Sequence, residues 1–350
     1  NSVDIGLNCN CGTPNYAHNR KISGRISVRW LQTGCLAICL TFGWREPLIP
    51  SAHAAEIETI RTAVPTVAMN FMHAALARKL GIDRQEGMAL EIILMRVSVA
   101  TAALIAGNID YNFAFESTVN AALQGAPVIG IEVMQDKPPY MVIARPEIHS
   151  FADLRGKIVA QNDIFSVAAY VFRQVLRANG LNDKDYSMIG AGSDRQRLAA
   201  LTAGRVQATT FSPPTHLMAL KAGMKSLGLA KDYTRAANGV GTSIRKIKDS
   251  RGQVKRFLRL LLKTDQWMKS HPRETIDFIM SEYKLDRETA ASSYEVLMPT
   301  LSDNGQIGDD YIQEIIERWR QQSGAPQGVT LDRVRDFSIV KEAVRELGIH

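Results

Sequence analysis

From residue 57 to residue 243 the chain repeats one pattern, short apolar runs alternating with amphipathic stretches that close on glycine. Residues 57–64 read as a strand ended by Pro65, 70–80 as a helix stopped by Gly81, and 90–95 as a second strand. A loop with Ser98 and a helix over 100–106 follow, then strands over 127–134, 140–144 and 157–160 and a helix over 166–179. Such alternation predicts βαβ units and a mainly parallel sheet. One piece is stated twice. Ala103-Leu104-Ile105-Ala106-Gly107-Asn108-Ile109-Asp110 has its counterpart in Ala200-Leu201-Thr202-Ala203-Gly204-Arg205-Val206-Gln207. Each copy reads as a helix, a glycine where a left-handed residue must end it, a short apolar strand and a new helix, which stops at Gly125 or Gly223. Ligands of open α/β sheets bind beyond the carboxyl ends of the strands, so the duplication predicts two similar lobes facing a cleft.

After about Ser243 the period becomes helical. Val254, Phe257, Leu258, Leu261 and Met268 recur on one face, as do Ile276, Ile279 and Tyr283, then Ile312, Ile315 and Trp319. No Pro/Gly/Ser-rich linker sets this third apart, which predicts that it packs on the first lobe.

The N-terminal stretch has a different character. Arg20, Lys21, Arg25 and Arg29 precede an apolar run from Trp30 to Trp44, and Ala52-His53-Ala54 supplies small residues for cleavage. Residues 1–54 are therefore expected to be a leader carrying a secretory signal peptide over about 20–54. The apolar run is shorter than the about 20 residues of a spanning helix. All four cysteines, Cys9, Cys11, Cys35 and Cys39, fall within the leader, so no thiol chemistry is expected after it; lipid anchoring is not expected. The 296 residues from 55 to 350 suffice for two domains with real cores. Of the formal charge of +7, the leader's five Lys/Arg and two Asp/Glu hold +3; the remaining +4 is scattered among mixed-sign helices, and nucleic-acid binding is not expected.

Ile148-His149-Ser150-Phe151-Ala152-Asp153-Leu154-Arg155-Gly156-Lys157-Ile158-Val159 resembles the I-x-S-x-x-D-L-x-G-K-x-V segment of solute-binding proteins for nitrate, sulfonate, taurine and thiamine-precursor importers. Leu104-x-Ala106-Gly107-x-Ile109-Asp110 and Ala122-Leu123-Gln124-Gly125-Ala126-Pro127 are similar to that family's first-lobe signature, and Asp336-Phe337-Ser338 to its tail. Gln207 departs from the pattern, standing where an Asp would match Asp110. The resemblance implies a two-lobed periplasmic-binding-protein type II α/β fold. Lobe one would comprise 56–144 plus 244–350, with the helical third packed on it, and lobe two 145–243. It also implies a periplasmic, monomeric protein with no cofactor, which captures a small organic or oxyanion ligand for the membrane permease of an ATP-driven (ABC) importer. Hinge crossings are expected near Ala144-Arg145 and Gly239-Val240-Gly241.

Strand ends that precede helices supply N–H groups and short polar side chains to a cleft. By that rule lobe one offers Thr66, Asn70, Ser98, Glu116 and Ser117, and lobe two offers Asn162, Asp163, Ser166, Thr210 and Ser212. Phe71, Phe115, Phe165 and Phe211 are candidates to stack on a ligand, Phe115 and Phe211 foremost because they hold equivalent places in the two repeats. Ser98, Ser117 and Ser166 equally read as helix caps, and the phenylalanines as core. Apart from Arg96 the pattern offers no cleft cation. No enzyme is expected: the chain has no His-Glu-x-x-His metal motif and no Gly-x-Ser-x-Gly elbow. An exported enzyme on the same fold, such as a pyrimidine-synthase-like protein, is the alternative.

Overall fold

The structure is a computed structural model that describes residues 57–349; the expected leader and its cleavage site lie outside the described residues. The chain enters one five-stranded sheet with β1 (Glu58–Val64), β2 (Met88–Leu94), β3 (Tyr111–Asn112) and β4 (Val128–Gln135). It then builds a second from β5 (Met141–Ala144), β6 (Ile158–Gln161), β7 (Ser187–Gly190), β8 (Ala208–Phe211) and β9 (Lys225–Leu229), and returns to the first with β10 (Asn238–Ser243). The orders are β2-β1-β3-β10-β4 and β7-β6-β8-β5-β9. They describe one topology: in each sheet a single strand, β10 or β5, runs antiparallel to its neighbours, and it occupies the same place.

The repeated motif has one local cause. Helix Val97–Ala106 ends at Gly107 (φ 78°), and helix Asp194–Thr202 ends in a turn at Gly204 (φ 74°). In both, the amide after the glycine returns to the first alanine of the motif, Asn108 N to Ala103 O and Arg205 N to Ala200 O, each 2.9 Å. That bond satisfies a carbonyl left over at the helix end and turns the chain into β3 or β8. Asp110 and Gln207 play one part: Asp110 Oδ2 accepts from Arg61 N at 2.9 Å and Gln207 Oε1 from Ile158 N at 3.1 Å. The departure at Gln207 therefore keeps the hydrogen bond and gives up the charge.

The expected lobe boundaries need correction. β5 lies in the second sheet and β10 in the first, so the crossings are residues 136–140 and 233–237, not Ala144-Arg145 and Gly239-Val240-Gly241. Apolar runs mark strands without showing which sheet they join. Gly239 and Gly241 are packing positions: an added Cβ would strike the backbone of Glu132 or the side chain of Thr118. Element limits differ too. Residues 70–80 divide into a 3₁₀ turn, Met69–Phe71, and a helix, His73–Leu80, while β7 and β9 carry no clear apolar signal.

Each sheet has its own core. Leu104, Tyr111, Val128 and Val240 bury against Phe257, Ile315 and Val340 of the helical third, whereas Val142, Leu154, Val159 and Phe172 form the core of the other sheet. Phe257, on helix Ile244–Ser270, stacks on Tyr111 at 3.7 Å between ring centroids. A satellite cluster of Met72, Leu76, Met268, Ile279 and Leu297 ties helices Pro272–Tyr283 and Arg287–Leu297 to His73–Leu80. The helical third is thus part of lobe one.

Candidate ligand-binding site

The strands β1 and β3 of lobe one and β6 and β8 of lobe two end toward a common cleft. Its lobe-one wall carries Thr66, Asn70, Phe71, Val97 and Ser117; its lobe-two wall carries Asn162, Ser166, Asp194, Arg197, Thr210 and Ser212. Tyr140 and Asn238 close its base, where Asn238 Nδ2 lies 3.3 Å from both Tyr140 Oη and Gln135 Oε1 and so links the two crossings. Burial pushes the Tyr140 hydroxyl up to about 12, which leaves it a neutral hydrogen-bonding group. The cleft holds about 480 Å³ of empty space, part of it open to solvent. The lobes meet across it.

Hydrogen bonds from one lobe to the other hold the walls together. Thr66 Oγ1 donates to Asp194 Oδ1 at 3.1 Å, Ser212 Oγ to Asn70 Oδ1 at 3.0 Å, Ser98 Oγ to Asp163 Oδ2 at 2.8 Å, and Met69 N to Pro213 O at 3.1 Å. Ser98 and Asp163 therefore form a latch between the lobes instead of contributing to the innermost lining. Asp163 also accepts from Phe165 N at 2.8 Å, and Phe165 itself is 62% exposed outside the cleft.

Three further sequence candidates are corrected. Phe115 is fully buried within lobe one, its ring packed where Gly130 has no side chain and stacked on Phe337 at 6.0 Å. Phe211 is fully buried beneath the Arg197 guanidinium, 5.0 Å from its ring centre. Glu116 points to the second crossing, where it accepts from Ala237 N at 2.8 Å and pairs with Arg318 at 2.6 Å. Burial raises its carboxyl above the usual range; Arg318 and the Ala237 amide pull it back. Periodicity places these residues at strand ends but does not say whether a side chain faces the cleft or the lobe interior. Thr66, Asn70, Ser117, Asn162, Ser166, Thr210 and Ser212 do lie on the walls, with Ser166 also capping helix Val167–Ala178 by accepting from Ala169 N at 3.2 Å.

Arg197 is the residue the sequence pattern leaves unmarked. It sits in Asp194-Arg195-Gln196-Arg197, which reads as a solvated face, yet Arg197 is 4% exposed. Its Nη1 donates to Thr209 Oγ1 at 3.0 Å and Thr210 O at 2.7 Å, and its Nη2 pairs with Asp194. The capping box of Ser193 and Gln196 fixes where this helix starts, and hence which residue of its first turn points inward, the one signal that the sequence does contain.

Four buried polar atoms of the cleft residues have no protein partner: Asn70 Nδ2, Ser117 Oγ, Asp194 Oδ2 and Arg197 Nε. Buried polar groups are rarely left so, because each costs about 1–3 kcal/mol. The helices Val97–Ala106 and Phe115–Leu123 also start without a side-chain cap, and Val97, Ala114 and Ser117 from those starts line the cleft. Ser98 N, in the first turn of Val97–Ala106, meets Asp163 Oδ2 at 3.5 Å; the positive ends of the two helix dipoles and a buried guanidinium together suit an oxyanion. Among the described residues no group of three or more His, Cys, Asp or Glu could hold a metal ion, and no helix is long and apolar enough to cross a membrane.

The fold has solved relatives. It matches the alkanesulfonate-binding protein SsuA from Xanthomonas axonopodis pv. citri bound to MOPS with a TM-score of 0.66 at 19% identity, covering 83% of this chain and 99% of that one. The periplasmic aliphatic sulphonate binding protein SsuA from Escherichia coli matches at 0.61 and 18%, covering 80% and 92%. The desulfurization enzyme DSZB matches at 0.57 and 13%, covering 83% and 99%. Identities this low show a shared fold, the two-lobed architecture of periplasmic binding proteins. No curated protein matches the sequence. The family model described as NMT1/THI5 like matches residues 68–275, more than half of the chain, and the protein belongs to the NMT1/THI5-like family.

Proposed function

We propose that this protein is an extracytoplasmic solute-binding protein that closes its two lobes on a small sulfonate-type oxyanion and delivers it to the permease of an ATP-driven importer. The observation that carries this reading is the set of unpartnered donors on both walls, Asn70 Nδ2 and Ser117 Oγ from lobe one and Arg197 Nε from lobe two. A ligand that satisfies both walls favours the closed form; one that touches a single lobe cannot shift the equilibrium. Asp194 offsets the Arg197 charge, so selection falls to hydrogen-bond geometry and helix dipoles more than to net charge. Membership of the family and the sulfonate-binding fold relatives support a binding role. The periplasmic location, export by cleavage near Ala54 and a monomeric state belong to the same proposal.

A thermal-shift screen of compact sulfonates, nitrate, carboxylates, amines and pyrimidines tests it. At 100 times Kd a specific ligand adds about 2.7 kcal/mol of stability. A sulfonate hit that loses its shift in Arg197→Ala and in Asn70→Ala supports the reading. Amines alone as hits would sink it. The likeness to a desulfurization enzyme favours an enzyme as the second reading. The residues from 55 onward contain no cysteine to act as nucleophile, and turnover of the hit, followed by mass spectrometry, decides between the two.

A further inference from the structure

Arg318 stands outside the cleft lining, on helix Asp309–Ser323 of lobe one, with a side chain only 9% exposed. Its Nη2 pairs with Glu116 Oε2 at 2.6 Å, and the other oxygen of that carboxylate accepts from Ala237 N of the second crossing at 2.8 Å. The guanidinium is thereby aimed from within lobe one. It lies over the ring of Tyr170, 3.8 Å from the ring centroid, and Tyr170 belongs to helix Val167–Ala178 of lobe two. A cation over an aromatic face gains most where water is excluded, as it is around this side chain. Among the described residues this is the closest such pair. The others, Arg197–Phe211, Arg235–Tyr311 and Arg335–Phe337, each stay within one lobe or its crossing.

The two helices that meet through Arg318 are the ones that open onto the cleft. Glu116 adjoins Ser117 of the lobe-one wall, and Tyr170 N donates at 3.0 Å to the carbonyl of Ser166 on the lobe-two wall. A ligand that bridges Ser117 and Ser166 draws the two helix starts together, and the same movement sets the Tyr170 ring under Arg318. When the lobes part, the pair with Glu116 stays within lobe one, whereas the contact with Tyr170 is lost.

We propose that Arg318 and Tyr170 are positioning residues: they clasp the lobes from outside the cleft and set the affinity for every ligand through the closing equilibrium, without touching any of them. The inference rests on the solute-binding reading above and adds the residues that tune it. Apparent affinity scales with the fraction of closed molecules, so a weaker clasp divides the affinity for all ligands by one factor. Loss of a contact residue changes it ligand by ligand.

The test leaves Arg318 in place, because removing it strands the buried Glu116 carboxylate, a destabilising change of its own. Tyr170 is half-buried; Tyr170→Leu removes the aromatic face, and Tyr170→Phe keeps it. Methanesulfonate and nitrate, titrated calorimetrically, should each bind Tyr170→Leu about three- to tenfold more weakly than the wild type, both by the same factor, and Tyr170→Phe within about twofold of it. Unchanged binding in Tyr170→Leu, or unequal factors for the two probes, overturns the clasp and leaves the solute-binding reading standing. An equal loss in Tyr170→Phe also overturns it, since the ring is retained there. If neither probe binds the wild type, the oxyanion reading falls, and X-ray scattering of the ligand-free proteins decides the clasp. A larger radius of gyration in Tyr170→Leu alone then supports it, and equal radii in all three overturn it.

Discussion

Glu132 has 0% exposure, and neither oxygen of its carboxylate has a hydrogen-bond partner. Burial, and then the like charge of Asp265, push its carboxyl well above the usual range. A carboxyl with a raised folded pKa contributes most below its unfolded value; as pH rises from about 4.3 toward the raised pKa, stability falls by about 1.4 kcal/mol per unit of pKa difference. Glu132→Gln removes that loss. The variant should melt above the wild type at pH 8 by at least about 2 °C, with a smaller gap at pH 5, when the two are followed by calorimetry. An equal gap at both pH values would contradict the assignment. Arg197 makes a different kind of prediction, because its work is geometric. Its Nη1 reaches Thr209 Oγ1 and Thr210 O while its Nη2 pairs with Asp194, and the single nitrogen of a lysine ammonium cannot stand in both places. Arg197→Lys should keep the charge and still weaken the ligand by about tenfold, about 1.4 kcal/mol, in a calorimetric titration.

At the scale of elements, two close approaches set the architecture of lobe one. Helix Phe115–Leu123 meets β4 at Gly130, which receives the Phe115 ring, and β10 at Gly241, which receives Thr118. Gly241→Ala should cost about 1–3 kcal/mol in urea unfolding, since the clash is with a side chain locked in a helix and not with a flexible tip. A neutral outcome would mean that the strand and helix can move apart. The same approach explains how far the sequence could be read. The A-L-x-A-G repeats gave the two lobes and their matching turns, because a helix end with a left-handed glycine is a local event written in adjacent residues. Thr66, Asn70 and Thr210 followed from their places at strand ends. Phe115 and Arg197 did not: which way each points depends on a cavity above Gly130 and on buried partners contributed by β6 and β8, contacts distant in sequence. The sheet membership of β5 and β10 was hidden for the same reason, since pairing partners are chosen in space and the strand pattern is the same in either sheet.

For the molecule as a whole, the closed state rests on the hydrogen bonds of the cleft together with the Lys221–Asp286 ion pair at 3.0 Å and the Arg318 guanidinium over the Tyr170 ring at 3.8 Å. Removing the hydroxyl of the latch with Ser98→Ala leaves Asp163 with Phe165 N and the longer contact to Ser98 N at 3.5 Å, and should weaken ligand binding by about two- to tenfold, the range of one hydrogen bond. The apo variant should show a larger radius of gyration by X-ray scattering; an unchanged radius would mean that closure does not depend on the latch. The placement of β10 reaches further than the cleft, into synthesis itself. Lobe two is continuous in the chain, from the first crossing to the second, whereas the sheet of lobe one lacks an inner strand until residue 243 has been made. A fragment of residues 136–237 holds the complete second sheet and its core, and should fold alone as judged by cooperative thermal unfolding. A chain that stops at residue 237 lacks β10 and the helices that cover Tyr111 and Val128, and its first sheet should stay unprotected in hydrogen exchange. Lobe one is therefore expected to fold last, after the lobe inserted within it, because its sheet is completed only when β10 has been made.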